Sequence, residues 1–186
     1  TLNFVHLNLY VYEAHEALNR HAMALYRSKV ARMALEDYVG GNFVSHPNTS
    51  VYVRELYIRT RLAETSAMRN LANLQKSTKQ SGVLKETREV LRLLDKNALG
   101  ELEHPNMWRL YLLRDEMRTL SRTSRCTVAD IDALYGRSQA ILSKNPQYGD
   151  NHVIRYMQIE SEVKGFLRTH SNRDGIRMAV ERAKNL

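Results

Sequence analysis

His15 and Glu16, in the stretch His15-Glu16-Ala17-Leu18-Asn19-Arg20-His21, begin like the His-Glu-x-x-His pair of a zinc hydrolase. That chemistry needs two imidazoles one helical turn apart, so that both reach one metal. One turn on from His15 stands Asn19, and the pair is not formed. The remaining histidines show no ligand spacing and are read as surface or capping groups. There is no glycine-rich phosphate loop and no Gly-x-Ser-x-Gly, and Cys126 has no histidine beside it. Asp130 and Asp132 point to different sides of a helix, where they serve as helix-start charges. The reading is therefore a non-enzyme with no cofactor, no metal and no catalytic residue.

The most ordered polar feature is Arg114, Arg118, Arg122 and Arg125, spaced four, four and three apart. They would line one face if their helix extends that far, and guanidinium groups grip phosphates or carboxylates in bidentate fashion. The competing reading is a solvated face partly balanced by Asp115 and Glu116. Arg54, Arg59 and Arg61 with Tyr52 and Tyr57, and Arg109 with Trp108 and Tyr111, interleave cations and aromatics as RNA-binding surfaces do. Regular repeats presenting equivalent residues to successive bases are missing, so RNA ranks below protein as a partner.

These residues must be positioned by helices. Among 186 residues there are only eight Gly and three Pro, and 43% are hydrophobic, as expected for a mostly helical chain with one sizeable core. A single cysteine excludes an intramolecular disulfide framework and favours a reducing compartment. The net charge of +8 implies an acidic partner: nucleic acid, a phosphate-rich surface or an acidic protein. The apolar run "NFVHLNLYVY" at residues 3–12 is far short of the roughly 20 residues that span a bilayer. The sequence starts at Thr1 rather than Met, as after removal of a targeting peptide or in a cloned fragment.

The expectation is an all-α protein of about seven helices, read from hydrophobic periodicity and capping signals. The first is long, about 10–38, and stops at Gly40-Gly41; the second, about 50–76, opens after Ser50. The third, about 82–97, and the fourth, about 106–122, put Leu84, Thr87, Leu91, Leu94 and Leu110, Leu113, Met117, Leu120 on single faces. The fifth is capped by Thr127 and Asp130, carries Ile131, Leu134, Tyr135, Ser138, Ile141 and Leu142, and stops at Asn145-Pro146. The sixth and seventh run over about 150–168 and 173–185. The chain is read as a single domain: residues 1–45 form the long helix and its loop, and 46–186 form three degenerate helix-turn-helix units. Helices two and three, four and five, and six and seven are the pairs.

Three helix entries, "HPNTSVYVRELYIR", "HPNMWRLYLLRDEM" and "NPQYGDNHVIRYMQ", resemble one another, and the stretch from Ala133 carries the rhythm of tetratricopeptide or pentatricopeptide repeats. The chain thus resembles a degenerate helical-repeat protein, solenoid-like over residues 46–186. With its three hairpins it also looks like the pentatricopeptide-like accessory subunits of protist mitochondrial ATP synthases. That resemblance implies an accessory subunit bound to the catalytic head, in the matrix at the inner membrane, without handling nucleotide. A second resemblance rests on "ALYRSK", where Leu25, Tyr26 and Arg27 match the motif of the LYR family. It implies acyl carrier protein as partner in a respiratory-complex subunit or assembly factor. The echo "ALYGRS" at residues 133–138 gives Leu25 and Tyr26 a second reading as packing residues, and leaves Arg27 in need of a partner.

Overall fold

A computed structural model of the chain describes residues 1–41, 43, 49–75, 80–123, 126–148 and 181. Among them the fold is all-α, with six helices and no strand: α1 (Leu2–Ala17), α2 (His21–Val39), α3 (Val51–Leu74), α4 (Gln80–Asp95), α5 (Pro105–Leu120) and α6 (Val128–Leu142). The helices expected over 150–168 and 173–185 lie outside the described residues. The chain divides into two compact units, Thr1–Pro105 and Asn106–Leu186.

In the first unit the long first helix expected over 10–38 is instead a hairpin. It is broken because Asn19 takes a left-handed conformation (φ 55°), which Asn tolerates better than most residues. The Asn19 and Arg20 backbone N–H groups then turn back to the carbonyls of Glu16 (3.0 Å) and His15 (2.8 Å), closing α1. The helix also starts earlier than expected, at Leu2. Gly40 ends α2 in the left-handed region (φ 85°), and the Ser50 hydroxyl caps α3 by accepting from the Val53 N–H at 3.4 Å.

Polar bonds fix the helix directions. His6 bonds Tyr52, Arg59 donates to Glu13 (2.9 Å), and Asn70 donates to Glu16 (2.6 Å), all in rising order, so α1 and α3 run parallel. Between them α2 runs the other way, with Arg32 reaching Glu64 at 2.7 Å. The core stripe of α2 is Ala24, Ser28, Ala31 and Leu35, small residues that let its neighbours approach closely. It packs against α1, which buries Val5 and Leu9, and against α3, which buries Ala63 and Ala67, each large apolar group contributing about 1.5–3 kcal/mol. Helix α4 packs on α3, burying Leu84, Thr87, Leu91 and Leu94 as expected.

In the second unit α5 buries Leu110, Leu113, Met117 and Leu120, again the expected face. The capping box of α6 is formed: the Thr127 hydroxyl accepts from the Asp130 N–H (3.2 Å), and the Thr127 N–H donates to the Asp130 carboxylate (2.9 Å). Asn106 near the start of α5 bonds Asn145 beyond the end of α6 (3.4 Å), so these two helices run antiparallel.

Candidate functional site

Helix α1 is apolar on both sides. Its inward side is Val5 and Leu9; its outward side carries Phe4, Leu7, Val11, Ala14 and Leu18, at spacings of three, four, three and four. That is the a/d pattern of a coiled-coil seam, which normally faces another helix. Here Leu7 is 57% and Leu18 61% exposed. Helix α2 repeats the pattern with Met23, Tyr26, Val30, Met33 and then Asp37, and again the large residues are outward, Tyr26 and Met33 each 56% exposed.

The two seams lie side by side. Asn8, on the edge between the core and outer faces of α1, accepts a hydrogen bond from Arg27 (3.3 Å), which holds the same edge of α2. Asn8 also donates to the Phe4 carbonyl at 2.9 Å, which fixes its amide. One turn outward from this pair stand Phe4 and Val11 on α1 and Met23 and Val30 on α2. The guanidinium of Arg27 rests 5.7 Å from the Tyr26 ring centre, and its Nε is buried with no partner. The hairpin therefore presents one apolar face of two parallel stripes with an underused cation in its floor. Phe4, Leu7, Tyr26 and Met33, each about half exposed, alone offer roughly 300 Å². That already matches the ~300–600 Å² of the largest patch on an ordinary monomer.

Against the sequence expectations, Leu25 is half-buried and packs, but Tyr26 is exposed and is no packing residue. Arg27 has found its partner in Asn8. Of the four arginines of the stripe, Arg114 and Arg118 lie on α5. Helix α5 ends at Leu120, where the hydroxyls of Ser121 and Thr123 take the carbonyls of Arg118 and Leu120 at 3.1 and 2.9 Å. Arg122 stands past that end and Arg125 lies outside the described residues. Asp115 is 0% exposed and Glu116 is buried, so neither is a solvated charge beside the stripe. Arg114 neutralises Asp115 (2.7 Å) with its guanidinium 5.1 Å from the Tyr111 ring, and Arg118 is half-buried.

Arg54, Arg59 and Arg61, interleaved with aromatics, are each engaged by another group of the fold. Arg54 is buried and donates to the Glu101 carbonyl (3.1 Å), Arg59 pairs with Glu13, and Arg61 pairs with Glu86 (2.6 Å). Tyr57 stacks on Phe43 with centroids 4.4 Å apart, and burial raises its phenol pKa. For Arg32, burial opposes the charge, but Glu64 and Glu36 outweigh it and raise its pKa. Glu16 joins His21 (2.9 Å) and Asn70, a brace across three helices where the zinc motif had seemed to begin. On α4 the exposed cations Lys85, Arg88 and Arg92 edge an open groove of about 400 Å³.

Phe4, Leu7 and Val11 escape the sequence reading because residues 3–12 are apolar enough to be weighed as a membrane span. Their three-four spacing was the available signal. Among the described residues no helix is long and apolar enough to cross a membrane, and no three His, Cys, Asp or Glu side chains gather for a metal ion. Compared with known proteins, the chain matches no family model, no curated protein and no solved structure.

Proposed function

We propose that the chain is a non-catalytic interaction subunit that docks into a larger assembly through the outer face of the α1–α2 hairpin. The observation that carries this reading is the pair of adjacent heptad seams left facing solvent, because a coiled-coil seam gains its stabilisation only against another helix. The setting follows from the resemblance to accessory subunits: a mitochondrial complex at the matrix face of the inner membrane, with the catalytic head of ATP synthase as the first candidate. Native size fractionation of a mitochondrial extract tests it. Wild-type protein runs in a large assembly, and Leu7→Glu, an exposed change that leaves the fold intact, runs free. Wild-type protein at its own mass, or Leu7→Glu retained in the assembly, would overturn the reading.

A second reading is favoured by one observation, the buried and unpartnered Nε of Arg27 beside the exposed Tyr26. It supports an acidic partner, acyl carrier protein, seated over Leu25, Tyr26 and Arg27. Co-purification of that partner, lost in Arg27→Ala and kept in Arg137→Ala, is the expected result; no such partner in the wild type removes the reading. RNA is the third partner considered, and the outward cations of α4 rather than the interleaved arginines would meet it.

A further inference from the structure

We propose that the seam of α2 takes a second copy of this chain, α2 against α2 in antiparallel register about a two-fold axis passing between Ala31 and Arg32. The proposal rests on the reading of the outer face as a docking face and names one of its occupants. The argument is self-complementarity. On the outer side of α2 the seam is Met23, Tyr26, Val30 and Met33, closed by one carboxylate, Asp37, and flanked by one exposed cation, Lys29. Neither Lys29 nor Asp37 forms an ion pair among the described residues.

About that axis Val30 meets Met33 of the second copy, and Met33 meets its Val30, as two central layers of the seam. Tyr26 falls level with Asp37 of the second copy, a phenol donor opposite a carboxylate acceptor. Lys29 falls level with Ala34 of the second copy and so lies within one turn of its Glu36 and Asp37, at a rise of about 1.5 Å per residue. Every one of these contacts occurs twice. A parallel pairing would set Asp37 against Asp37 in the seam, like charges facing each other. An acidic helix would meet Asp37, and a basic one would meet Lys29. The arrangement that satisfies both is the antiparallel copy. The net charge of +8 acts against association over long range, where salt screens it, while the seam acts at contact.

The test is sedimentation of the purified full chain, with circular dichroism to confirm that each variant is folded. Wild-type protein sediments as a dimer of the 21.6 kDa chain. Lys29→Asp and Asp37→Lys each weaken the dimer about tenfold, because each reversal acts twice across the axis, and Met33→Glu abolishes it. The double variant Lys29→Asp with Asp37→Lys restores dimerisation, which a merely structural role for either residue would not do. A monomeric wild type, or a double variant as weak as the single ones, overturns the proposal. If the wild type is monomeric while Leu7→Glu still leaves its native assembly, the second copy is lost and the docking reading stands. If Leu7→Glu stays in the assembly, it is the docking reading that falls.

Discussion

Gly100 offers the sharpest test of how the loop after α4 is locked. Its φ is +77°, and a Cβ built there would stand 2.6 Å from Arg54 Nη1 and 2.9 Å from Cζ. Arg54 is buried and held by the Glu101 carbonyl (3.1 Å) and the Thr49 hydroxyl (3.3 Å), so its guanidinium does not swing away without losing both. Gly100→Ala then carries two costs. The left-handed backbone costs an L-residue about 1–2 kcal/mol. Displacing Arg54 from its bonds adds roughly 1.5–3 kcal/mol. The sum is about 2.5–5 kcal/mol, a fall in Tm on the order of 10 °C for a chain of this length. In an Arg54→Ala background the second cost is already gone, and Gly100→Ala costs only about 1–2 kcal/mol. Thermal and urea unfolding followed by circular dichroism, for the wild type, both single variants and the double, give the coupling. Equal cost of Gly100→Ala in the two backgrounds would refute the steric argument, since the loss would then belong to the backbone alone.

Burial raises the Tyr57 pKa above its ordinary value of 10.0, so the phenol ionises more readily in the unfolded chain. Its contribution is complete below the unfolded pKa and is lost as pH rises through the folded one. Tyr57→Phe therefore flattens part of the alkaline fall in stability in urea titrations above about pH 10; an unchanged alkaline slope would contradict this. At the turn between α1 and α2, Asn19→Gly is neutral or slightly stabilising, whereas Asn19→Ala costs about 1 kcal/mol. An alanine variant as stable as the wild type would mean that the left-handed turn does not hold the hairpin.

The contrast between Asn19 and Thr127 shows where sequence reasoning reached and where it stopped. Thr127 and Asp130 announce a helix start by side-chain chemistry that acts within three residues, and the capping box is there. The inward faces of α4 and α5 were equally plain, because one-sided periodicity needs no knowledge of what lies opposite. Asn19 breaks a helix without Gly or Pro, and a lone Asn costs a helix so little that continuous periodicity on either side outvoted it. The arginines were opaque for a different reason. Arg59 finds Glu13 and Arg61 finds Glu86 only after folding brings α1 and α4 against α3, so spacing along the chain said nothing of their engagement.

The outer seams join both cases. Once Asn19 turns the chain, residues 2–17 and 21–39 become neighbours, and each shows two apolar sides where a helix in a lone small bundle needs one. The inner side is accounted for by Val5, Leu9, Ala24, Ala31 and Leu35. The outer side keeps a strict heptad rhythm through both helices, with Lys29 and Asp37 placed so that an antiparallel copy satisfies each. A surface selected only for solubility has no reason to keep that period, and a surface that meets a helix has every reason to.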